Sequence, residues 1–160
     1  LKMPIVIHSR EADQEVMDIL KEEGAFSDER KSWFPKRFDS TSYVKDHGGG
    51  DKLCDDARVL LHCFSGSMEL ARQYVKLGGT ISIAGPVTYK NNKKTVAVVE
   101  EIPIDFLLVE TDSPYPFRGK RNTPLMVEYT ARKVGSIKNM TFEDVAIKTK
   151  ENAMRFYGIK

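Results

Sequence analysis

Three short apolar runs in this 160-residue chain each end in residues that can bind a metal ion. Each run is short enough for a buried strand and gives way to turn-forming residues. The carboxyl ends of parallel strands meet at one edge of a sheet, so this pattern predicts several side chains converging on one site. The runs are residues 4–7 before His8, residues 59–61 before His62, and residues 106–109 before Glu110 and Asp112.

Segments with helical periodicity separate these runs. Apolar residues recur at helical spacing after His8 until Gly24, and again after Ser67 and after Thr141, two residues that favour helix starts. Asp144 completes a capping-box-like pattern with Thr141. A further alternating run at residues 80–84 adds a strand. Strands that alternate with helices predict an α/β fold, in which outer helices cover a parallel sheet.

Composition limits the class of protein but decides little about its partners. The chain is 41% apolar and 30% charged with a net charge of +2, as expected for one globular domain with no strong overall preference for anions. No run is long enough to span a membrane, and no signal peptide is evident, so no membrane partner is expected. Cys54 and Cys63 form no disulfide framework, which favours a reducing compartment such as the cytoplasm.

Periodicity fails between about residues 25 and 57, so this segment is expected to be an irregular insertion in the domain. It mixes charges with Trp33, Phe34 and Phe38 and contains three consecutive glycines at residues 48–50. Two interpretations remain open, a lid or docking surface that uses the aromatic residues, or a tolerated surface insertion. His47, within it, is assigned no role.

Strand alternation places each candidate ligand on the same face as core residues, Val6 with His8 for example. Imidazole and carboxylate donors together suit Zn²⁺, Mn²⁺ or Fe²⁺. His8, His62 and Asp112 are therefore candidate ligands of one ion. Asp112 is equally suited to take a proton from metal-bound water, and spacing does not separate the two roles. Glu110 either orients a ligand or forms a structural pair.

Positive charge is concentrated in the loop that follows Asp112. Arg118, Lys120 and Arg121 suit a phosphate-containing substrate, and the loop at residues 89–94 adds three lysines after the preceding strand. Aromatic residues among these cations would let a nucleic-acid backbone bind while bases stack on rings. A solvated basic surface explains the lysines equally well.

Four motifs in this order resemble those of the TatD-type metal-dependent DNases, a branch of the amidohydrolase-like barrels. The motifs span residues 7–10, 61–67, 110–115 and 118–124, and the resemblance covers residues 3–24 and 58–158. It implies that His8 and His62 bind metal at the ends of the fifth and sixth barrel strands. It also implies metal-binding and proton-transfer roles for the catalytic residue Asp112.

The resemblance further implies a deoxyribonuclease that cleaves phosphodiester bonds, often as a 3′-to-5′ exonuclease, with two divalent ions (Mg²⁺, Mn²⁺ or Zn²⁺). DNA is then the expected substrate. Arg10 in the first motif, with Arg118, Lys120 and Arg121, is expected to bind it, and Glu110 to support the ligands.

The His-x-His pair of the family's first strand and the metal-bridging glutamate of its fourth are absent from this sequence. The chain is therefore expected to be the C-terminal half, about strands five to eight, of a TIM (β/α)8 barrel of roughly 250 residues. Activity would then require the missing N-terminal half-barrel from another polypeptide, or a self-associated copy of this chain. Two alternatives stay open: a metal-dependent hydrolase of a small amide, ester or lactone, and a non-catalytic fragment or binding module.

Overall fold

A computed structural model describes residues 2–38 and 53–159 of the chain. His47 and the glycines at residues 48–50 lie outside these ranges. The described strands are β1 (Ile5–His8), β2 (Arg37–Phe38), β3 (Leu53–Cys54), β4 (Val59–His62), β5 (Thr80–Ile83) and β6 (Leu107–Val109). The described α-helices are α1 (Asp13–Glu22), α2 (Asp28–Ser32), α3 (Met68–Lys76), α4 (Lys93–Glu101), α5 (Val127–Lys138) and α6 (Phe142–Tyr157). Short 3₁₀ turns occupy Gly85–Thr88, Ile104–Phe106 and Pro124–Met126.

Four of the strands form one parallel sheet in the order β1-β4-β5-β6. β1 and β4 are in register, so that His8 is paired with His62. Helices connect β4 to β5 and β5 to β6, as parallel pairing requires. The predicted α/β fold with a parallel sheet is confirmed. β2 and β3 pair separately as a two-stranded antiparallel ribbon.

The main hydrophobic core lies between one face of the sheet and helices α1, α3, α4 and α5. Fully buried residues from these helices include Met17, Ala71, Val98 and Val134, and they form one cluster with strand residues such as Ile81. Burying side chains of this size stabilises a fold by about 1.5–3 kcal/mol each. This packing holds the strands in the register that brings their carboxyl ends together.

The opposite face of the sheet is only partly covered. Leu60 and Leu108 pack there against Phe156 of α6 in a second, smaller cluster. On β1, however, Val6 is 50% exposed and His8 is exposed. The expectation that every candidate ligand shares a face with buried residues is therefore wrong for β1, because α6 does not cover the strand at that end of the sheet.

Helix α6 also covers the outer edge of β6. The side-chain amide of Asn152 donates hydrogen bonds to the backbone carbonyls of Ile104, at 2.7 Å, and Leu107, at 2.9 Å. Unpaired carbonyls at a sheet edge otherwise invite association with other strands. The structure therefore protects the start of this outer edge.

The predicted helix starts at Ser67 and Thr141 are confirmed. The Ser67 hydroxyl accepts a hydrogen bond from the backbone N–H of Leu70, and the Thr141 hydroxyl accepts one from that of Asp144. Thr141 also donates to the Asp144 carboxylate at 2.7 Å. These contacts satisfy N–H groups that a helix leaves without partners in its first turn.

Part of the segment expected to be irregular is ordered and packed. Residues 25–38 contain α2 and β2, and Ala25, Phe26 and Phe34 are buried. The guanidinium group of Arg30 donates to the backbone carbonyls of Ala57 and Met3, 27 residues away in each direction along the chain. This region therefore braces β1 and the start of β4.

A buried ionic network joins the same region to the amino-terminal end of the sheet. The side chains of Arg37 and Asp56 are fully buried and lie 2.9 Å apart, and Arg155 of α6 contacts the second oxygen of Asp56 at 3.1 Å. Burial by itself would raise the pKa of Asp56, but the charges of Arg37 and Arg155 outweigh that effect, and the pKa lies below its ordinary value. The carboxylate therefore remains ionised.

No helix among residues 2–38 and 53–159 combines the length and apolar character needed to cross a membrane.

Candidate metal centre

The predicted ligands lie at the carboxyl ends of neighbouring strands. His8 and His62 are the last residues of β1 and β4, and their ring centroids are 5.8 Å apart. Glu110 follows β6 directly, and its backbone N–H donates to the carbonyl of Ile83 on β5. The parallel register therefore places all three residues at one edge of the sheet, where α/β proteins have their active sites.

Glu110 holds His62 in a defined orientation. One carboxylate oxygen accepts a hydrogen bond from Nδ1 of His62 at 2.5 Å, and the other accepts from the backbone N–H of Cys63 at 2.6 Å. Because a carboxylate only accepts hydrogen bonds, Nδ1 is the donor in this contact, and in the neutral ring Nε2 then keeps its lone pair. This carboxylate–histidine pair is the arrangement that commonly orients a histidine ligand toward a metal ion.

The free nitrogen of His62 faces Asp112. Nε2 lies 3.3 Å from Oδ1 of Asp112. Two donor atoms bound to one ion at about 2.1 Å, at tetrahedral or octahedral angles, lie about 3.0–3.4 Å from each other. In the neutral ring with Nδ1 protonated, both facing atoms are acceptors, and a cation between them would satisfy both. The donor set and its spacing thus fit a divalent ion.

Two residues next to these ligands adopt left-handed backbone conformations. Cys63 has φ of 47° and Asp112 has φ of 59°. Non-glycine residues adopt this region infrequently, and such strain concentrates at functional sites. At both positions the chain turns sharply just after a strand, which brings the Asp112 carboxylate back over the strand ends.

His8 does not complete a closed metal site. Within the two described ranges, no three histidine, cysteine, aspartate or glutamate side chains are arranged to hold an ion together. His62 and Asp112 are in contact, with His8 one strand away from them. Their assignment as ligands therefore stays a prediction, as does the proton-transfer role of Asp112.

The surroundings of Cys63 disfavour its thiolate form. Burial, together with the negative charges of Asp112 and Glu110, raises the pKa of the Cys63 thiol to about 12. A thiol with such a pKa stays protonated at neutral pH. Its backbone N–H, which binds Glu110, is the part of the residue that contributes to the site.

The basic loop after Asp112 forms a tight hairpin turn. Backbone hydrogen bonds join Phe117 and Lys120 in both directions, and Arg118 and Gly119 between them have φ of 52° and 74°. Positive φ at both central positions is typical of a type I′ turn. The turn holds Arg118 and Lys120 exposed to solvent, and Arg121 beside them is also exposed.

Aromatic packing fixes this hairpin beside the sheet. Phe117 is buried and stacks on Tyr89 with ring centroids 5.9 Å apart. Its ring approaches Gly85 so closely that a Cβ atom there would lie 2.8 Å from it. The Arg118 guanidinium lies over the rings of Phe117 and Tyr129, 5.4 Å from each centroid.

Arg10 is exposed two residues after His8. In the described part of the chain, the four cations predicted to bind substrate form no ion pair with a carboxylate; they are Arg10, Arg118, Lys120 and Arg121. They are thus available to an anionic ligand. Their assignment to substrate stays a prediction.

Sequence reasoning missed two residues that shape the site. The Asn122 amide donates to the carbonyl of Thr111, and the Ser113 hydroxyl donates to the carbonyl of Asn122, which ties the end of the basic loop to both sides of Asp112. Tyr157 of α6 lines a cavity of about 380 Å³ that also borders Glu110. The proximity of Asn122 to the third motif was a usable signal, whereas nothing in the local sequence marks Tyr157.

Metal-ligating residue types at the strand ends of a parallel α/β sheet, one of them oriented by a carboxylate, are typical of metal-dependent hydrolases built on barrel folds. Comparison with known families agrees with that class. The sequence model described as "TatD related DNase" matches residues 1–158, and the chain belongs to this family. The match also includes residues 25–57, which the quoted motifs do not cover.

Several curated relatives are similar over nearly the whole chain. An "uncharacterized metal-dependent hydrolase YabD" of Bacillus subtilis is 42% identical over 99% of this chain and 52% of its own length. The proteins named TatD in Mycobacterium tuberculosis and YcfH in Escherichia coli are each 33% identical, over 98% and 99% of this chain and 49% and 51% of their own lengths. The chain thus spans about half the length of these relatives.

Solved structures support the fold. The TatD homologue YjjV of Escherichia coli superposes with a TM-score of 0.70 at 22% identity, over 98% of this chain and 51% of that one. A TatD family hydrolase of Entamoeba histolytica gives a TM-score of 0.68 at 19% identity, with the same coverage. At this level of identity the likeness concerns the fold alone.

Proposed function

We propose that this chain forms part of a metal-dependent deoxyribonuclease that hydrolyses phosphodiester bonds in DNA, removing nucleotides from the 3′ end. The observation that most strongly supports the proposal is the contact between His62 and Asp112, with Glu110 orienting His62. The cationic hairpin that follows Asp112 favours a phosphate ester over a small amide, ester or lactone. The family's printed description, a DNase, agrees with this choice.

His8, His62 and Asp112 are proposed to hold divalent ions, two of Mg²⁺, Mn²⁺ or Zn²⁺, with Glu110 keeping His62 in its binding orientation. Such ions supply an activated water and neutralise charge on the scissile phosphate and the leaving oxygen. The second oxygen of Asp112 is proposed to accept a proton from the attacking water. Arg10, Arg118, Lys120 and Arg121 are proposed to bind the phosphates on either side of the cleaved bond.

We further propose that the four parallel strands correspond to strands five to eight of a TIM barrel, and that other strands complete the site. The partial ligand set supports this, as do the exposed Val6 and His8 on an edge strand. The completing strands would come from an N-terminal half-barrel or from a second copy of this chain. A reducing compartment such as the cytoplasm is the proposed location.

The test measures release of nucleotides from a 3′-labelled oligonucleotide in the presence of Mn²⁺. The chain is assayed alone and with the half of the Bacillus subtilis relative that it does not cover. We expect metal-dependent hydrolysis in the mixture. His62→Ala should lower its rate at least about 100-fold, since losing even a residue that supports a metal ligand costs 10- to 100-fold.

Lys76→Ala, which changes an exposed lysine of α3, is the matched control and should leave the rate unchanged. Hydrolysis that survives His62→Ala would refute the proposed site. Cleavage of small esters but not of DNA would favour the small-molecule hydrolase. If neither the chain alone nor the mixture hydrolyses DNA, and equilibrium dialysis detects no bound Mn²⁺ in either sample, a non-catalytic binding module is favoured.

A further inference from the structure

Two cavities with cationic linings flank the stacked rings of Tyr89 and Phe117. The smaller, of about 150 Å³, lies against the hairpin and includes Arg118 and Lys120 in its lining. The larger has a volume of about 410 Å³ and lies on the outer side of Tyr89, between α4 and α5. We call it the basic groove; its polar lining consists of Thr88, Tyr89, Lys90, Lys93, Glu100 and Lys133.

Three separate elements bring lysines to the basic groove. Lys90 follows a 3₁₀ turn, Lys93 is the first residue of α4, and Lys133 lies on α5. In the described ranges none of the three has a carboxylate within ion-pairing distance, although Glu100 lines the same groove. Three lysines and one glutamate give the lining of the basic groove a net positive charge, which favours binding of an anion.

Residues of α5 and the ring of Tyr89 link the basic groove to the cationic hairpin. Tyr129 of α5 lines the smaller cavity and Lys133, one helical turn further, lines the larger, so the two side chains lie on the same helix face about 5–6 Å apart. Tyr89 joins the two sides: its ring stacks on Phe117, and its hydroxyl oxygen accepts a hydrogen bond from the backbone N–H of Arg118 at 3.4 Å.

We propose that the basic groove is a second phosphate-binding subsite, which holds the DNA backbone beyond the nucleotides at the metal centre. This inference rests on the proposed function and extends it. The exposed part of Tyr89, 38% of its surface, provides a ring on which a base can stack between the two cavities. Affinity for DNA then depends on Lys93 and Lys133, although neither residue belongs to the metal centre.

The experiment measures fluorescence anisotropy of a labelled single-stranded oligonucleotide of about ten nucleotides, long enough to cover several phosphates. The full chain is titrated in the presence of a chelator, so that no cleavage occurs. The double variant Lys93→Ala/Lys133→Ala is compared with Lys21→Ala/Lys76→Ala, which removes two exposed lysines from α1 and α3. Circular dichroism checks that both variants are folded.

Each lost phosphate contact lowers the slope of log K against log salt concentration by about 0.7 for a single strand. The groove variant should therefore show a slope about 1.4 smaller. If the binding curves converge near 1 M salt, its affinity at 0.2 M salt should be about tenfold lower than that of the wild type. The control variant should keep the wild-type slope and affinity.

Equal affinity and slope in the wild type and the groove variant would overturn the subsite, and so would an equal loss in the control variant. Failure of the wild-type chain to bind the oligonucleotide would overturn it as well. None of these outcomes bears on the proposed nuclease activity, which depends on metal-dependent hydrolysis and its loss in His62→Ala. The two proposals can therefore fail separately.

Discussion

Replacing Glu110 by Gln tests whether this residue positions His62. The carboxylate accepts two hydrogen bonds, one from Nδ1 of His62 at 2.5 Å and one from the Cys63 N–H at 2.6 Å. The side chains of Glu110 and His62 are 22% and 25% exposed, so water replaces these contacts only in part. Glutamine has one carbonyl oxygen, so at least one of the two donors loses its acceptor.

A hydrogen bond to a charged group contributes about 1.5–3 kcal/mol, and 1.4 kcal/mol corresponds to a factor of ten. Glu110→Gln should therefore shift the His62 tautomer ratio away from the Nδ1–H form by about ten- to hundredfold. The loss of this support should weaken binding of Mn²⁺ at His62 by a similar factor.

The assay is ¹H–¹⁵N NMR of the imidazole nitrogens in the metal-free chain, which distinguishes the two neutral tautomers directly. We expect Nδ1–H in the wild type and a mixture in Glu110→Gln. Cys63→Ala keeps the backbone N–H and serves as the control, with a wild-type tautomer. A wild-type His62 in the Nε2–H form, or a tautomer unaffected by Glu110→Gln, would refute the positioning role.

Three further predictions concern stability, each measured by urea denaturation. Asp56→Ala should lower the free energy of unfolding by about 3–5 kcal/mol because the buried Arg37 and the partly buried Arg155 lose this counter-charge. Since the folded pKa of Asp56 is depressed, its contribution is present above about pH 4 and is lost as the pH falls toward the folded pKa, so the pH dependence of stability in that range should be weaker in Asp56→Asn. Gly85→Ala should lower the free energy of unfolding by about 1–3 kcal/mol because the added methyl group displaces the Phe117 ring. Unchanged stability would contradict the close contact. Thr141→Ala should lower the free energy of unfolding by about 0.5–2 kcal/mol. Thr141→Ser keeps the hydroxyl that accepts from the Asp144 N–H, so its loss of stability should be smaller.

The two outer strands of the sheet, β1 and β6, are covered to different extents. Both strands lie at the outside of the sheet, yet Asn152 satisfies carbonyls beside β6, whereas Val6 is half exposed on β1. A helix covers one edge and leaves the other open. The β1 edge is therefore open to an added strand, whereas closing a barrel would also require a strand at the edge of β6, where Asn152 now binds the carbonyl of Leu107.

Local sequence patterns were sufficient to predict where strands end and where helices begin. A short apolar run that stops at His8 or His62 is readable without knowledge of distant residues, and so is the capping pattern of Thr141 and Asp144. The order of such elements determined the α/β class and pointed to one edge of a parallel sheet. The same patterns predicted a metal centre and a basic loop beside it.

Only the tertiary structure decided which groups are in contact. Glu110 and His62 are 48 residues apart, and parallel strand register brings them within 2.5 Å. Arg37 reaches Asp56 and the start of β5 from a segment without readable periodicity, because long-range hydrogen bonds rather than local preference order it. Such contacts depend on packing between distant elements, which a local pattern does not encode.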